Sequence, residues 1–246
     1  MTNHGQIDTE QPRAIVTGGS RGLGAVIATY LVGNGYEVII TARDEDQLDE
    51  TARTLAPFEG FVRAIQGDIK DPVHRETLGQ EAIQSGGLDI LVNNAAGFGQ
   101  SPLRPLDSYP LRVFQRLFDT NVTSQLGIIQ ETLPGLRRRN GLIVNITSDA
   151  AVGGYPGWGG YGATKAALDL VSMTLSAELD DVGVVSVDPG AMNTHMHRKA
   201  NPTTDTEALP EPEVTLPFWS WLFGQTPHTV SGHRLEAQSA TWEVAP

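Results

Sequence analysis

Cysteine is absent from all 246 residues, which excludes disulfides, thiolate zinc sites and a cysteine nucleophile. Positive charge is scarce: 17 Lys and Arg stand against 29 Asp and Glu, for a net charge of −12. Binding to nucleic acid or to an anionic membrane surface needs basic surface, so neither partner is expected. A local basic pocket for a single phosphate stays compatible with this balance. No apolar run reaches the length of a membrane span. Met1 to Pro12 lack an apolar core and do not read as a signal peptide. These residues are expected to form a flexible N-terminal extension on a soluble cytoplasmic protein.

Glycine, by contrast, is plentiful, with 27 residues, and several sit where apolar runs end. Ala14-Ile15-Val16-Thr17 leads into Gly18-Gly19-Ser20-Arg21-Gly22-Leu23-Gly24, and Ala25 to Val32 then reads as a buried helix face. A strand, a glycine turn and a helix in this order let backbone N–H groups and a helix N-terminus approach a pyrophosphate. An ordinary tight turn is the alternative. The second strand, Glu37 to Thr41, ends in Ala42-Arg43-Asp44. A dinucleotide fold that prefers NAD places a carboxylate at this tip, to bond the ribose 2′-OH. Here Ala42 takes the tip and Arg43 follows. Arg43 with Arg21 suits a 2′-phosphate, so NADP(H) is expected over NAD(H); otherwise both arginines are solvated surface.

The alternation continues down the chain. Asp44 to Ala56 is helical, Phe61 to Gln66 is a third strand, and Asp68 after it either accepts a bond from an adenine amino group or caps a turn. Asp71 caps the next helix with Pro72 in its first position. Leu88 to Val92 is a fourth strand running into Asn93-Asn94-Ala95. Ser108 is expected to cap one long helix that tolerates Pro110 in its first turn and ends in Arg137-Arg138-Arg139. Asn121 falls in the middle of that helix, where its amide is either exposed or kinks the helix and holds a water. A fifth strand, Gly141 to Ile146, ends at Thr147-Ser148; a sixth, Val182 to Val187, ends at Asp188-Pro189-Gly190. Alternating strands and helices predict an α/β fold: a single-domain, Rossmann-like, doubly wound parallel sheet flanked by helices. Ligands then bind beyond the C-terminal strand ends.

Between the fifth and sixth strands a glycine-rich loop enters Tyr161-Gly-Ala-Thr-Lys165. On a helix these residues stand one turn apart on one face. An ammonium about 5 Å away favours a phenolate by roughly 3 kcal/mol at an effective dielectric near 20. Tyr161 is therefore expected to have a lowered pKa and to act as a general acid or base.

Taken in order, Thr17-Gly18-x-x-x-Gly22-x-Gly24, Asn93-Asn94-Ala95, Asn121, Ser148, Tyr161-x-x-x-Lys165 and Pro189-Gly190-x-x-x-Thr194 resemble the short-chain dehydrogenase/reductase family. The resemblance covers about Ala14 to Thr194, and Ser148 stands 13 positions before Tyr161, as in that family. It implies an NADPH-dependent oxidoreductase passing a hydride between nicotinamide and a ketone or aldehyde. An alcohol dehydrogenase running in the oxidative direction and a non-catalytic NADP-binding regulatory protein are the alternatives. Tyr161 would be the acid in reduction, and Lys165 would tune it and hold the nicotinamide ribose. Ser148 would bond the substrate oxygen, and Asn121 would hold a water that passes protons to Lys165. Gly18, Ser20, Arg21, Gly22, Leu23, Gly24, Arg43, Asp68, Ile69, Asn94 and Ala95 would bind the adenosine and pyrophosphate portion. Pro189, Gly190 and Thr194 would lie at the nicotinamide.

Tyr155 and Trp158, just before Tyr161, are expected to shape the substrate pocket together with the segment Phe98 to Leu106. A substrate lid is expected over about 195–223 in a domain spanning 13–246. His195-x-His197 has no further ligand pattern, so no metal is expected. The partners implied are a small carbonyl or alcohol and further copies of the chain, as a homodimer or homotetramer. The ending Val230-Ser231-Gly232-His233-Arg234-Leu235-Glu236-Ala237 departs from the family's apolar, glycine-paired ending and puts its usual tetramer contacts in doubt.

Overall fold

In the computed structural model, which describes residues 11–58, 60–200, 202, 206 and 208–244, the apolar runs become seven strands. Of the expected N-terminal extension, only Gln11 and Pro12 fall among the described residues. The strands are β1 (Arg13–Thr17), β2 (Glu37–Ala42), β3 (Phe61–Gln66), β4 (Ile90–Asn93), β5 (Leu142–Ile146), β6 (Gly183–Asp188) and β7 (Arg234–Glu236). They form one sheet in the order β3-β2-β1-β4-β5-β6-β7, parallel throughout. The order reverses between β1 and β4, which opens a crevice at their C-terminal ends.

Successive side chains of a strand point to opposite faces, and here both faces are apolar. Val16, Ile40, Val92, Val144 and Val185 belong to one buried cluster; Ile15, Ile39, Leu91, Ile143 and Val184, each one residue earlier, belong to another. Helices cover both faces, as a parallel sheet requires. The helices α1 (Gly22–Gly33) and α8 (Leu216–Leu222) close the first cluster, with Ile27, Leu31, Phe218, Trp219 and Leu222 inside it. The helices α3 (Pro72–Gln84) and α5 (Ser124–Arg139) close the second through Leu78, Ala82, Ile128, Ile129 and Leu136. Between β2 and β3 runs α2 (Glu45–Leu55). Its cap is Asp44, accepting from the Gln47 N–H at 3.3 Å. Asp71 accepts from the Val73 N–H at 3.0 Å ahead of Pro72. Both capping residues are thus where the side-chain chemistry predicts.

Three local expectations change. The fourth strand starts at Ile90 and includes Asn93. The single long helix is divided. Ser108 lies in a 3₁₀ turn, Leu106–Ser108, and caps nothing further; α4 (Leu111–Phe118) begins only after Pro110, because a proline disfavours helical geometry in the residue before it. A π turn, Asp119–Thr123, then separates α4 from α5. Finally, the second half of the expected lid belongs to the core. Of the rest of that segment, residues 201, 203–205 and 207 lie outside the described ones. A 3₁₀ turn, Pro212–Thr215, leads into α8, where Phe218, Trp219 and Leu222 are fully buried. The Trp219 indole donates to the Thr215 hydroxyl at 2.8 Å, and Phe223 lies 6.0 Å from the α1 ring of Tyr30. Among the described residues of the expected lid, α7 (His195–Ala200) is the part that lines the crevice. Among the described residues no helix is long and apolar enough to cross a membrane.

If α8 is core, Trp219→Ala must destabilise the fold by about 3–5 kcal/mol, the usual cost of deleting a buried indole. Urea unfolding checks this: the midpoint should fall with the slope preserved, whereas an unchanged midpoint would mean that α8 is a detachable flap.

Candidate active site

The crevice is a cleft of about 910 Å³ along the C-terminal ends of the strands. Every site residue predicted from the sequence lines it except Gly24 and Asn121, and both of these act from just behind its wall.

At the adenosine end the glycine turn is set by contact distances. Gly18 has φ of +66°, a left-handed conformation that favours glycine, and its N–H donates to the Thr41 carbonyl at 2.8 Å. A Cβ on Gly24 would sit 2.2 Å from the Gly18 carbonyl oxygen, so α1 can approach the turn only without a side chain there. Asn94 braces the same turn, its Nδ2 donating to the carbonyls of Thr17 at 2.9 Å and Gly18 at 3.1 Å. The backbone N–H groups of Asn94 and Ala95 both donate to Thr17 Oγ1 at 3.0 Å. The helix α1 opens with no side-chain cap. Arg21 and Arg43 are exposed at this end and make no ion pair among the described residues. Asp68 turns inward on itself, accepting from the Lys70 N–H at 3.0 Å while still lining the cleft beside Ile69. The backbone donors and the close glycine approach fit a nicotinamide dinucleotide.

The other end is built by α6 (Gly159–Glu178). Tyr161 and Lys165 do rise one above the other, with Lys165 Nζ 5.5 Å from the Tyr161 ring centroid. Lys165 is 1% exposed and donates to the Ile146 carbonyl at 2.7 Å, so its ammonium faces the ring and the end of β5. Burial pulls Lys165 down to about 8, with Asp169 opposing. Tyr161 moves opposite to the sequence expectation: burial, then the carboxylates of Asp188 and Asp149, push its pKa above the ordinary phenol range, and a hydrogen bond with Ser148 opposes them. Desolvation of a phenolate outweighs a cation set against the ring. The phenol is held protonated.

Ser148 donates to Asp149 Oδ1 at 2.9 Å and accepts from the Ala150 N–H at 3.2 Å. Asp149 also takes a hydrogen bond from Tyr155 and raises that phenol's pKa. Trp158 packs edge-on to Tyr161, with centroids 5.5 Å apart, and lies 6.1 Å from the His197 ring of α7. His195 and His197 are both held below the usual imidazole range, chiefly by burial, so this wall is uncharged at neutral pH. Pro189, Gly190 and Thr194 line the cleft between its two ends.

Asn121 is fully buried inside the π turn. Its Oδ1 accepts from the Gly97 N–H at 2.8 Å, and its Nδ2 donates to the Gly97 carbonyl at 2.8 Å and to Thr164 Oγ1 at 3.0 Å. Both side-chain N–H donors are therefore spent within the protein, and the amide fastens the loop after β4 to α6. Of the segment Phe98 to Leu106, expected to shape the pocket, no residue lines this cleft, but Pro105 and Leu106 line an adjoining hollow that shares Ala150, Tyr155 and Trp158 with it. Residues that do line it without having been singled out include Thr41, Thr147, Asp149, Asp188 and Met192. Four of these adjoin a recognised motif, and only their orientation in three dimensions brings them in.

The comparisons with known proteins agree with this geometry. A family model described as short chain dehydrogenase matches residues 12–205. The chain is 36% identical over 218 residues to a rhamnolipids biosynthesis 3-oxoacyl-[acyl-carrier-protein] reductase of Pseudomonas aeruginosa, covering 85% of this chain and 82% of that one. It is 32% identical over 217 residues to 3beta-hydroxysteroid dehydrogenase 1 of Eggerthella lenta, covering 86% and 81%. Among solved structures, a short chain dehydrogenase of Shigella flexneri complexed with NADP superposes with a TM-score of 0.86 at 26% identity, over 95% of this chain and all of that one. One of Escherichia coli complexed with NADPH gives the same TM-score and identity over 96% of this chain.

The crowding at Gly24 makes a direct prediction. Gly24→Ala should abolish NADPH binding, measured by fluorescence titration, because its Cβ forces the turn open; wild-type affinity would show that the turn has slack.

Proposed function

The chain belongs to the short-chain dehydrogenase/reductase family and is an NAD(P)-dependent oxidoreductase of the C=O/CH–OH couple; on that premise we propose that it is an NADPH-dependent carbonyl reductase, taking a ketone or aldehyde to its alcohol. The observation that carries this reading is the buried Tyr161 hydroxyl beside Ser148, both lining the cleft. A substrate carbonyl oxygen placed there accepts hydrogen bonds from both hydroxyls, Ser148 turning its O–H away from Asp149. When bound, a nicotinamide would supply the hydride chemistry at this centre. As negative charge grows on the oxygen, the Tyr161 O–H bond breaks and its proton completes the alcohol. Lys165 holds the buried phenol in place through ring contact and limits the cost of the phenolate left behind. A phenol held protonated suits the acid role in reduction. Asn121 supports the same centre by fixing Thr164, which lies between Tyr161 and Lys165 on α6.

The preference for NADPH rests on Arg21 and Arg43, two exposed guanidiniums at the adenosine end with no counter-charge bonded to them among the described residues. The structural relatives solved with NADP and NADPH support it. The names of the two sequence relatives, an oxoacyl reductase and a hydroxysteroid dehydrogenase, both concern the ketone–alcohol couple. The aromatic side chains of Tyr155 and Trp158 and the neutral His197 suit an apolar or aromatic substrate body.

Two measurements test these assignments. Tyr161→Phe should lower turnover of ketones by at least roughly 10²-fold, the scale of general acid catalysis, while NADPH still binds; full turnover in a broad ketone panel would remove Tyr161 from the reaction. Arg43→Ala should weaken NADPH binding by about tenfold or more, since a hydrogen bond to a charged group contributes roughly 1.5–3 kcal/mol. NADH affinity should stay the same, and equal losses for both cofactors would rule out a 2′-phosphate contact.

A further inference from the structure

We propose that Arg234, at the start of the edge strand β7, is a positioning residue for the catalytic centre, one guanidinium that ties the Ser148 loop, α6 and the end of β6 together. The proposal rests on the reading of Ser148 and Tyr161 given above.

Arg234 reaches three segments far away in sequence. Its Nη2 donates to the Ser148 carbonyl at 3.0 Å and to Asp188 Oδ2 at 2.9 Å, and its Nε donates to Asp169 Oδ2 at 3.2 Å. Glu236 lies further out, 3.6 Å from Nη1 and mostly exposed. Register explains the reach. Arg234 pairs with Ser186 and Glu236 with Asp188, and residues two apart on a strand share a face, so Asp188 stands on the side of β6 where Arg234 passes. Asp169 is one turn beyond Lys165 on α6. The Arg234 side chain is 24% exposed, against 7% for that of Asp188 and 18% for that of Asp169, so these bonds are shielded from water far more than surface pairs are. A planar guanidinium with five donors can make all three contacts at once; an ammonium on a flexible stem cannot hold the same fork.

The three contacts have distinct consequences. The bond to the Ser148 backbone fixes the height of the Ser148 hydroxyl, while the bond to Asp169 fixes the rotation of α6 and with it Tyr161 and Lys165. The bond to Asp188 balances a carboxylate that otherwise opposes ionisation of Tyr161. The groups facing Tyr161 are Lys165 on its own helix, Ser148 and Asp149 after β5, and Asp188 at the end of β6, with Tyr155 and His197 further along the wall. Facing Arg234 are Asp169, Asp188 and Glu236.

The test compares Arg234→Lys, which keeps the charge and loses the fork, with Arg234→Met, which loses both. Turnover is measured with NADPH and the best ketone of a panel, and with the matching alcohol and NADP⁺ against pH. Both variants should lower kcat by about tenfold or more, since displacement of reacting groups by ~1 Å can cost a hundredfold. Only Arg234→Met should move the rising alkaline limb of alcohol oxidation to higher pH, because the Asp188 charge is then unbalanced, and adding Asp188→Asn should move it back. A folded Arg234→Met with wild-type kcat and an unmoved limb overturns the proposal, as does a lowered Tm and active fraction with an unmoved limb. Should Arg234→Met fail to fold, wild-type kcat in Arg234→Lys overturns it equally. If no ketone in the panel is turned over, hydrogen exchange decides: the Ala150 amide should exchange faster in Arg234→Lys, and unchanged exchange overturns the proposal. Full activity of Tyr161→Phe in the same assays would overturn the underlying reading, whereas an inactive Tyr161→Phe beside a wild-type Arg234→Met overturns the positioning role alone.

Discussion

The hydrogen bond from the Lys165 ammonium to the Ile146 carbonyl, 2.7 Å long and buried, sets the distance between α6 and the end of β5. A lysine charge out of water must have such a partner, and the final carbonyl of β5 is the one within reach. Because Tyr161 lies one turn earlier on the same face, its position follows from that bond, and Ser148 is only two residues past Ile146. The relative placement of three functional side chains is thus inherited from one contact between a helix and a strand end. The Asn93–Asn145–Ser172 chain of bonds, 2.8 Å at each step, repeats the connection deeper in the sheet, joining β4, β5 and α6.

Charge is sorted along the cleft. Two exposed arginines stand at the adenosine end, while the closed end carries Asp149 and Asp188 beside a lysine whose proton affinity has been lowered to about 8. The two guanidiniums attract a phosphate at their end, although Asp44 and Asp68 line the same stretch, and at the other end Asp188 is paired with Arg234. The tyrosine, hemmed in by carboxylates and burial, keeps its proton. This differs from the simple pairing of a phenol with an ammonium one turn away. In the folded protein the cation meets the ring and a carbonyl, and solvent exclusion dominates the ionisation.

The doubly wound sheet was legible because its central strands are short continuous apolar runs separated by helical patterns, as a sheet buried on both faces requires, and such runs are a local property. Most of the site was legible for a related reason: the motif residues sit at strand ends, where topology alone brings them together. What sequence did not disclose depended on contacts between distant segments. The π turn at Asn121 is stabilised by Gly97 and Thr164, 24 and 43 residues away, so a helical pattern ran through it without a visible break. The direction of the Tyr161 shift depended on burial and on Asp188, which no spacing on α6 reveals. The aromatic run Phe218 to Phe223 fitted a lid or a core equally well in composition, and only its contact with α1 decides between them.

That contact also orders events in time. The helix that carries the glycine turn ends at Gly33, yet the partner that covers its outer face comes from residues 216–222. During synthesis Tyr30, Leu31 and their neighbours wait for that cover until residues 216–222 have been made. The first strand–turn–helix unit, the portion that looks most self-contained on paper, is consequently among the last to acquire its complete surroundings during biosynthesis.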